Sequence, residues 1–293
     1  MAIAAEQVKQ LRDKTGAGFM ECKWALEAAG GNIEEAITIL RKKGLAIAAK
    51  KAGRIAKDGL VGALLVDGKK VGVLVEVNCE TDFVAKTDEF KNLVKRVAAH
   101  IAAHRPERVR PDDAGEGPAL YTQPVEGTTG DWNQFISEKI AKIGENIVVR
   151  RFVRYQGGYC EAYIHAGGKI GVLVELAGVD PSSSDAAQEM ARDLAMHIAA
   201  SDPRYKSREE VTPEDLARER EIYREQALKE GKPANVLDKI VEGKLSKFYS
   251  EVCLYDQAFV KDPDITVGKL IASRTAPGSK ITLKRYTRYR LGE

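Results

Sequence analysis

Apolar residues recur at helical spacing along the first 44 residues and predict three short helices. The three stripes consist of Ala4, Val8 and Leu11, then Phe19, Cys22 and Leu26, then Ile33, Ile37 and Leu40. Glycines at positions 16, 18, 30 and 31 separate the helices, and Asn32 followed by Glu35 is typical of a capped helix start. We therefore predict a three-helix docking module over residues 1–44 and a basic, alanine-rich, helical connector over residues 45–57.

The middle of the chain contains an internal repeat. The segment KKVGVLVEV at residues 69–77 recurs as GKIGVLVEL at 168–176, and AAHIAAH at 98–104 recurs as AMHIAAS at 195–201. Each copy predicts two strands, a tight turn between them and a following helix. The predicted turns are Asp67-Gly68, between strands 60–66 and 71–77, and Gly167-Gly168, between a strand around Tyr163 and strand 170–176. Two such halves can share one core, so the predicted fold class is α+β.

Residues 212–245 predict a helical hairpin inserted after the second copy. Thr212 followed by Pro213 is a typical helix start, and Gly231 and Pro233 separate two segments with apolar stripes. Such a hairpin either packs only on itself or serves as an arm for interaction or dimerisation, and the pattern favours neither. A homodimer or a 2:2 complex with a partner is compatible with the second alternative.

The remaining segments complete a division of the chain. We predict a Pro/Gly-rich surface loop over residues 105–130, a helix over 132–143, a strand over 147–155, a helix over 264–273 and a strand over 280–290. The predicted domains are the docking module (1–44), the connector (45–57), a first core subdomain (58–143), a second core subdomain (144–211), the inserted hairpin (212–245) and the rest of the second subdomain (246–293).

Composition and charge exclude several classes of protein. The 46 basic and 43 acidic residues leave a net charge of +3, which is too even to imply nucleic-acid binding by bulk charge. Apolar runs are too short to span a membrane. Glu6 and Lys9 interrupt the N-terminal apolar residues, so we predict no signal peptide and a cytoplasmic location. The four cysteines are far apart, which favours free reduced thiols over a metal or disulfide site.

The sequence contains no motif for a reaction centre or a cofactor. It lacks a G-x-x-x-x-G-K-[ST] phosphate loop and a dinucleotide fingerprint, so we predict no direct nucleotide binding. His100 and His104 have the i, i+4 spacing of metal ligands, but no third ligand is apparent. His100 also recurs as His197 in the second copy, which favours a packing role.

An unusual loop follows the first copy's second strand. It reads NCETDFVAK at residues 78–86, whereas the matching place in the second copy is a plain polar turn, AGVDPS at 177–182. A connection of strand to helix therefore does not require the first loop's sequence. Thr81 and Asp82 suit the start of a short helical turn. The loop is either a capped turn with Phe83 tucked into the core or a site with an exposed apolar tip.

At this loop the sequence resembles a known family. VNCETDFVAK (77–86) is similar to the signature of bacterial elongation factor Ts, the nucleotide exchange factor for elongation factor Tu. The resemblance extends, in the family's order, to LRDKTGAGFMECKWAL (11–26), AAKKAG (48–53), IGENIVVRRF (143–152) and KIVEGKLSKFYSEVCLYDQAFVKD (239–262). These segments cover most of the chain. Two features depart from the pattern: the long loop over 105–130 and the absence of a further C-terminal helical module that some members carry.

The resemblance implies a fold and an activity. The family fold has an N-terminal three-helix, ubiquitin-associated-like (UBA-like) domain, a core of two repeated α+β subdomains and an inserted antiparallel helical hairpin. The implied activity is guanine-nucleotide exchange without bond chemistry and without a cofactor. Members bind the nucleotide-free state of elongation factor Tu and promote GDP release during translation elongation.

The resemblance also implies site residues. The family's partner-binding loop matches Thr81, Asp82, Phe83 and Val84, and its phenylalanine inserts between partner side chains near the nucleotide and disturbs Mg²⁺ coordination there. In the N-terminal module, Phe19 and Met20 are candidates for partner contact. A structural role for these two residues is an equal alternative.

Two other functions compete with nucleotide exchange. The basic connector and the basic strand over 280–290, where tyrosines alternate with Lys and Arg, are compatible with an RNA-binding translation accessory protein. A solvated strand face is the simpler account of that strand. An adaptor that works only through residues 1–44 would leave the large core unexplained.

Overall fold

The computed structural model describes residues 3–179, 184–275 and 281–293. Its first elements are α1 (Ala5–Thr15), α2 (Phe19–Ala28) and α3 (Ile33–Lys51). The Asn32 side chain caps α3 by accepting hydrogen bonds from the backbone N–H groups of Glu34 and Glu35. The three helices enclose a small core of Val8, Leu11, Cys22, Ala25, Leu26, Ala29 and Ala36. The predicted three-helix pattern is confirmed.

The third helix continues without a break into the connector that was predicted to be helical. It continues to Lys51, so the boundary drawn at residue 44 lies within a helix. Alanine-rich sequence propagates a helix readily, and tertiary packing adds to this preference. Ala48 is buried in the main core, where α3 packs against α6 (Trp132–Ile143). Only residues 52–57 remain as a connector between the helix and the first strand.

The first sheet has the order β1–β2–β3, in which both neighbouring pairs are antiparallel. Its strands are β1 (Asp58–Val66), β2 (Val71–Cys79) and β3 (Val148–Gln156). The division at residue 144 places β3 in the second subdomain, whereas its hydrogen-bond ladder joins it to β2. Pairing between distant segments depends on tertiary packing, which a local pattern does not encode.

Helices cover the outer face of this sheet. The short α4 (Asp82–Lys86) and the long α5 (Asp88–His104) follow β2, and α6 precedes β3. As predicted, α6 ends where Gly144 takes a left-handed φ of 88°. The side chains of β2, β3, α5 and α6 form the main core, which contains Phe90, Leu93, Val97, Ile101, Trp132 and Ile136.

The second sheet repeats this plan. Its elements in chain order are β4 (Tyr159–His165), β5 (Ile170–Ala177), α7 (Ser184–Ser201), the ribbon of β6 (Ala258–Phe259) and β7 (Asp262–Thr266), α10 (Val267–Arg274) and β8 (Thr282–Arg290). The sheet order is β4–β5–β8. The helix predicted from residue 264 begins only at Val267, because Thr266 caps it and the preceding residues pair as a strand. This mixture of helices and strands confirms the α+β class.

The hairpin turns are also repeated, and both are longer than the predicted two residues. The strand pairs Val66–Val71 and His165–Ile170 each enclose four residues. Three successive residues in each loop have positive φ: 53°, 59° and 69° at Asp67, Gly68 and Lys69, and 49°, 67° and 98° at Ala166, Gly167 and Gly168. The glycines lower the cost of this left-handed run.

The two sheets pack face to face. A Cβ atom on Gly72 would lie 2.7 Å from a methyl group of Leu173, and one on Gly171 would lie 2.4 Å from a methyl group of Val61. These glycines occupy the same place in the two copies, and each allows the opposite sheet to approach. The layer between the sheets consists of Val61, Leu74, Tyr155, Cys160, Leu173 and Tyr289.

The inserted hairpin consists of α8 (Pro213–Lys229) and α9 (Leu237–Val252). The second helix runs seven residues beyond the predicted end at 245, because Phe248 and Val252 pack in a small core at the base of the hairpin. None of the helices in the described residues is both long and apolar enough to cross a membrane.

Candidate partner-binding site

The loop singled out by the sequence forms a short helical turn between two caps. The Thr81 hydroxyl accepts a hydrogen bond from the backbone N–H of Val84 at 3.4 Å and starts α4. The Thr87 hydroxyl accepts one from the backbone N–H of Phe90 at 3.2 Å and starts α5. Side-chain caps of this kind satisfy the free N–H groups at a helix start. The turn is therefore held at both ends by its own sequence.

Phe83 projects from this turn into solvent. Its side chain is 79% exposed, whereas Ala85 is buried and Val84 packs partly against the main core. Full burial of a phenylalanine typically stabilises a fold by about 1.5–3 kcal/mol, and this position forgoes that gain. The alternative in which Phe83 is tucked into the core is wrong. An aromatic ring held in solvent on a turn that is capped at both ends is a candidate for contact with another protein.

Charged neighbours flank the exposed ring. The Lys86 ammonium donates a hydrogen bond to the Asp82 carboxylate at 2.5 Å, and this bond lowers the pKa of Asp82. The same ammonium lies 5.8 Å from the centre of the Phe83 ring. The tip thus combines an apolar ring with a solvent-exposed ion pair, and the carboxylate stays ionised at neutral pH.

The linker between α6 and β3 holds the first residues of the turn through hydrogen bonds. Glu145 accepts hydrogen bonds from the backbone N–H groups of Glu80 and Thr81, each at 3.0 Å, and from the Thr81 hydroxyl at 2.6 Å. The sequence reasoning missed Glu145. Its only sequence signal is its place in the IGEN segment at residues 143–146, because the contact joins positions about sixty residues apart.

Phe19 and Met20 lie on a different element, at the start of α2. Their side chains are 50% and 69% exposed. Trp24, which the sequence reasoning did not single out, is 48% exposed and lies one helical turn after Met20. Cys22, Ala25 and Leu26 occupy the opposite, buried face of the helix. Phe19, Met20 and Trp24 therefore place three exposed apolar side chains on α2, which makes the helix a candidate for partner contact.

The cysteines are poorly suited to nucleophilic chemistry. All four are buried and unpaired. Burial raises the pKa of Cys79 to about 12, with a further contribution from the negative charge of Glu145. Burial likewise raises the pKa of Cys160 to about 12 and that of Cys253 to about 11. Thiols with such pKa values are protonated at neutral pH and weakly nucleophilic.

The repeated histidines are structural. His100 is buried and its Nε2 lies 2.7 Å from Oε1 of Gln123, while Nε2 of His197 lies 2.9 Å from Oε1 of Gln257. The packing role predicted for His100 agrees with this arrangement. Among the described residues, no cluster of three or more His, Cys, Asp or Glu side chains is placed to hold a metal ion. The repeated tetrapeptides LYTQ (120–123) and LYDQ (254–257) are the overlooked sequence signal for these glutamines.

The chain matches known proteins along its whole length. The sequence model of the family described as Elongation factor TS matches residues 80–293. The chain is 48% identical to Elongation factor Ts of Halothermothrix orenii over 294 aligned residues, which cover 100% of this chain and 93% of that protein. It is 47% identical to Elongation factor Ts of Trichlorobacter lovleyi, with 100% and 94% covered. It is 45% identical to Elongation factor Ts of Aquifex aeolicus, with 100% and 99% covered. The chain therefore belongs to the elongation factor Ts family.

Proposed function

We propose that this protein is a guanine-nucleotide exchange factor that releases GDP from elongation factor Tu during translation elongation. Its membership of the elongation factor Ts family supports the partner and the process. The observation that carries the mechanism is the position of Phe83, 79% exposed at the tip of a turn capped at both ends. The factor would act by binding, and no bond is made or broken.

The proposed mechanism uses the exposed ring as a wedge. Mg²⁺ in a GTPase bridges the β-phosphate of GDP to the protein and requires near-ideal octahedral geometry. A phenyl ring inserted among the partner's side chains near that site would disturb the geometry and weaken GDP binding. The factor needs only to bind the nucleotide-free partner more tightly than the GDP-bound partner. Because coupling is reciprocal, an incoming nucleotide weakens the factor's hold and releases it.

The other residues of the turn would have supporting roles. Thr81 starts the helical turn, and Val84 anchors it against the core. Asp82 would offer a polar contact or orient the loop, since its carboxylate is exposed and ionised. We assign no nucleotide-binding role to this chain, in keeping with its lack of phosphate-binding motifs.

The N-terminal module would supply a second contact. Phe19 and Met20 are exposed on α2, next to Trp24, and could rest on the partner's nucleotide-binding domain. The UBA-like assignment of this module, the division of the core into two subdomains and a homodimer or 2:2 complex are further parts of the proposal. The hairpin is a candidate contact for such a complex. A cytoplasmic location follows from the role in translation.

A nucleotide-release assay tests the proposal. Elongation factor Tu loaded with fluorescent GDP is mixed with excess unlabelled GDP, with and without this protein, and the release rate is measured. The protein should accelerate release, and Phe83→Ala should slow the accelerated rate about tenfold or more, as loss of an aromatic hot spot does. Val260→Ala, which trims another exposed apolar residue, is the control and should leave the rate unchanged. Undiminished release by Phe83→Ala would contradict the wedge mechanism.

The structure offers little support for the RNA-binding alternative. The cations of the basic strand β8 largely have partners within the molecule. Arg285 and Lys284 pair with the buried carboxylate of Glu175, and Arg288 pairs with Asp202. Phosphates would have to compete with these carboxylates. RNA affinity with a steep salt dependence would be the result in favour of that alternative.

A further inference from the structure

Three segments that are distant in the sequence meet beneath the Phe83 turn. They are the end of β2 with the start of the turn, the α6–β3 linker, and the stretch that follows α3. The linker reverses direction at Gly144, whose positive φ ends α6. Lys51, the last residue of α3, donates a hydrogen bond to the Gly144 carbonyl oxygen at 2.5 Å. The linker is thereby fixed on its helix side.

Glu145 is the central acceptor in this cluster. One carboxylate oxygen accepts from two successive backbone N–H groups, those of Glu80 and Thr81, and the other accepts from the Thr81 hydroxyl. Hydrogen bonds to an ionised acceptor are among the stronger ones in proteins. The Thr81 hydroxyl can donate only one hydrogen. Its bond to Glu145 therefore turns the hydroxyl oxygen's lone pairs toward the N–H of Val84, which it caps.

The carboxylate of Glu80, on the turn, makes the reciprocal contact to the linker. Glu80 accepts a hydrogen bond from the backbone N–H of Asn146 at 2.6 Å, and its other oxygen lies 3.6 Å from an Nη atom of Arg54. The buried Asn146 side chain donates to the carbonyl oxygen of Arg54 at 2.8 Å. Two adjacent residues of the turn and two of the linker thus hold each other, and both are tied to the chain leaving the N-terminal module.

We infer that Glu145 is a positioning residue, which holds the Phe83 turn in the conformation that meets the partner. Phe83 is too exposed for core packing to fix the turn at its tip. Val84 and Ala85 anchor the far side of the turn in the core, and the near side depends on the backbone at Thr81, which Glu145 holds. A turn ordered before binding does not lose its conformational freedom at the moment of binding. This role rests on the proposed exchange function, because it concerns the same loop.

A double-mutant cycle tests the inference with elongation factor Tu and fluorescent GDP. Glu145→Ala should slow accelerated GDP release about tenfold in the parent, since it removes three charge-assisted hydrogen bonds. In the Phe83→Ala background, the same substitution should change the rate by less than about twofold, because the wedge is already gone. An equal effect in both backgrounds would overturn the inference.

Conservative and remote variants separate positioning from general damage. Glu145→Gln keeps an acceptor oxygen and should release GDP at a rate between those of the parent and Glu145→Ala. Glu189→Gln neutralises an exposed carboxylate on α7 and should match the parent. A Glu145→Gln variant as slow as Glu145→Ala in the parent background would also count against the positioning role.

Amide hydrogen exchange on the free protein gives a readout that does not depend on the partner. In Glu145→Ala, exchange should accelerate at residues 80–87 while protection in β2 and α5 remains. Unchanged exchange at residues 80–87 would overturn the inference even if the variant released GDP slowly. If the parent protein failed to accelerate GDP release, the exchange function would be wrong, and this measurement would still decide whether Glu145 holds the turn.

Discussion

The first copy of the repeat, over residues 58–156, and the second copy, over 159–290, build the same half of a sandwich and then differ in what they add to it. Each has a hairpin, a long helix, a shorter helix and a returning third strand. Within the residues that the structure describes, the capped turn with Phe83 belongs to the first copy and the helical hairpin to the second. Shared features are those that the scaffold needs, and the additions are where distinct functions can reside.

The shared features include two buried carboxylates. Glu76 on β2 pairs with Arg151, and Glu175 on β5 pairs with Arg285, each beside a bulge in the ladder to the third strand. Each arginine also contacts an aromatic ring of the other copy. Arg151 lies 4.4 Å from the ring centre of Tyr289, and Arg285 lies 4.0 Å from that of Tyr155. The same network of carboxylate, guanidinium and aromatic ring therefore closes the sandwich from both sides.

The additions differ from the scaffold in exposure. Phe83 is 79% exposed, and the hairpin carries Ile222 and Leu228 at 41% and 54% exposure. Apolar side chains left in solvent contribute little to the stability of the chain that bears them. We therefore expect stability to depend mainly on the repeated network, and the unrepeated elements are candidates for binding.

The largest expected loss of stability comes from substitutions that break the repeated network of carboxylate, guanidinium and aromatic ring. Glu175→Ala and Glu76→Ala should each lower the free energy of unfolding by about 2–3 kcal/mol, because a fully buried acceptor of charge-assisted hydrogen bonds is removed. The cost stays below that of a fully buried ion pair since the Arg285 and Arg151 side chains are 44% and 34% exposed and can be hydrated. Urea unfolding followed by circular dichroism measures the change.

A matched control removes an exposed carboxylate. Glu225 pairs with Lys229 on the hairpin surface, and Glu225→Ala should change the free energy of unfolding by less than about 0.5 kcal/mol. A large loss in Glu76→Ala with none in Glu175→Ala would show that the two copies are not equivalent scaffolds.

How far the sequence predicts this fold depends on whether a contact is local. The capped start of α3 at Asn32, the end of α6 at Gly144 and both hairpins follow from neighbouring residues, and the sequence predicts them. The pairing of β3 with β2 joins segments about seventy residues apart, and no local pattern specifies it. The domain boundaries therefore remain predictions, whereas the mixed fold class is confirmed.

The candidate site shows the same limit. The family resemblance predicts which residues form the site, and the capping pattern at Thr81 predicts that they lie on one turn. The capping pattern alone does not predict that Phe83 is exposed, because a Phe after a capping Thr-Asp pair is also compatible with burial. Only the resemblance, in which the phenylalanine inserts into the partner, implies an exposed ring. No local sequence pattern predicts the role of Glu145, because its three hydrogen-bond donors lie in another segment. The polar turn predicted at 177–182 includes residues 180–182, which lie outside the described residues.

A smaller effect on the free energy of unfolding is expected from the two repeated histidines, and the two should differ in how that effect depends on pH. Nε2 of His197 lies 2.9 Å from the Gln257 side-chain oxygen, and its Nδ1 accepts a hydrogen bond from the backbone N–H of Val260 at 3.3 Å. This pair of contacts requires the neutral ring, with its proton on Nε2. Burial lowers the pKa of His197, and burial also lowers the pKa of His100.

The sign of the pH effect follows from these pKa shifts. As the pH falls through about 6.5, the unfolded chain protonates its histidines, whereas the folded protein binds fewer protons. The free energy of unfolding should therefore fall with pH below about 6.5, by at most about 1.4 kcal/mol at pH 5.5 for each buried histidine, the limit for a ring that stays neutral in the folded protein. His197→Gln should flatten this dependence more than His100→Gln, because only His197 has an N–H donor directed at its second nitrogen. Urea titrations at pH 7.5 and 5.5 measure both slopes, and equal flattening would show that the Val260 contact does not matter.

The smallest expected effect on stability comes from shortening the hairpin. Its base is fixed to the body by Val211, Phe248, Val252 and Cys253, a core separate from those of the two sheets. At the same place the first copy has only the connection over residues 105–119, so the scaffold does not require a long arm.

Replacing residues 226–240 by a four-residue Gly/Ser linker joins positions that face each other across the hairpin, as the Arg220–Glu242 ion pair and the contact of Lys244 with Tyr223 indicate. The free energy of unfolding of the body should then change by less than about 1 kcal/mol, because the polar contacts of the removed tip, such as those of Gln226 and Glu230 with Lys244, lie within the hairpin. GDP release by the shortened protein decides between the two accounts of the arm. An unchanged rate supports an arm that packs only on itself, and a slower rate with unchanged stability supports an arm that contacts the partner or a second copy. A loss of several kcal/mol in the free energy of unfolding would contradict both accounts, because the tip would then belong to the scaffold. In that case α8 would count among the elements that the fold requires.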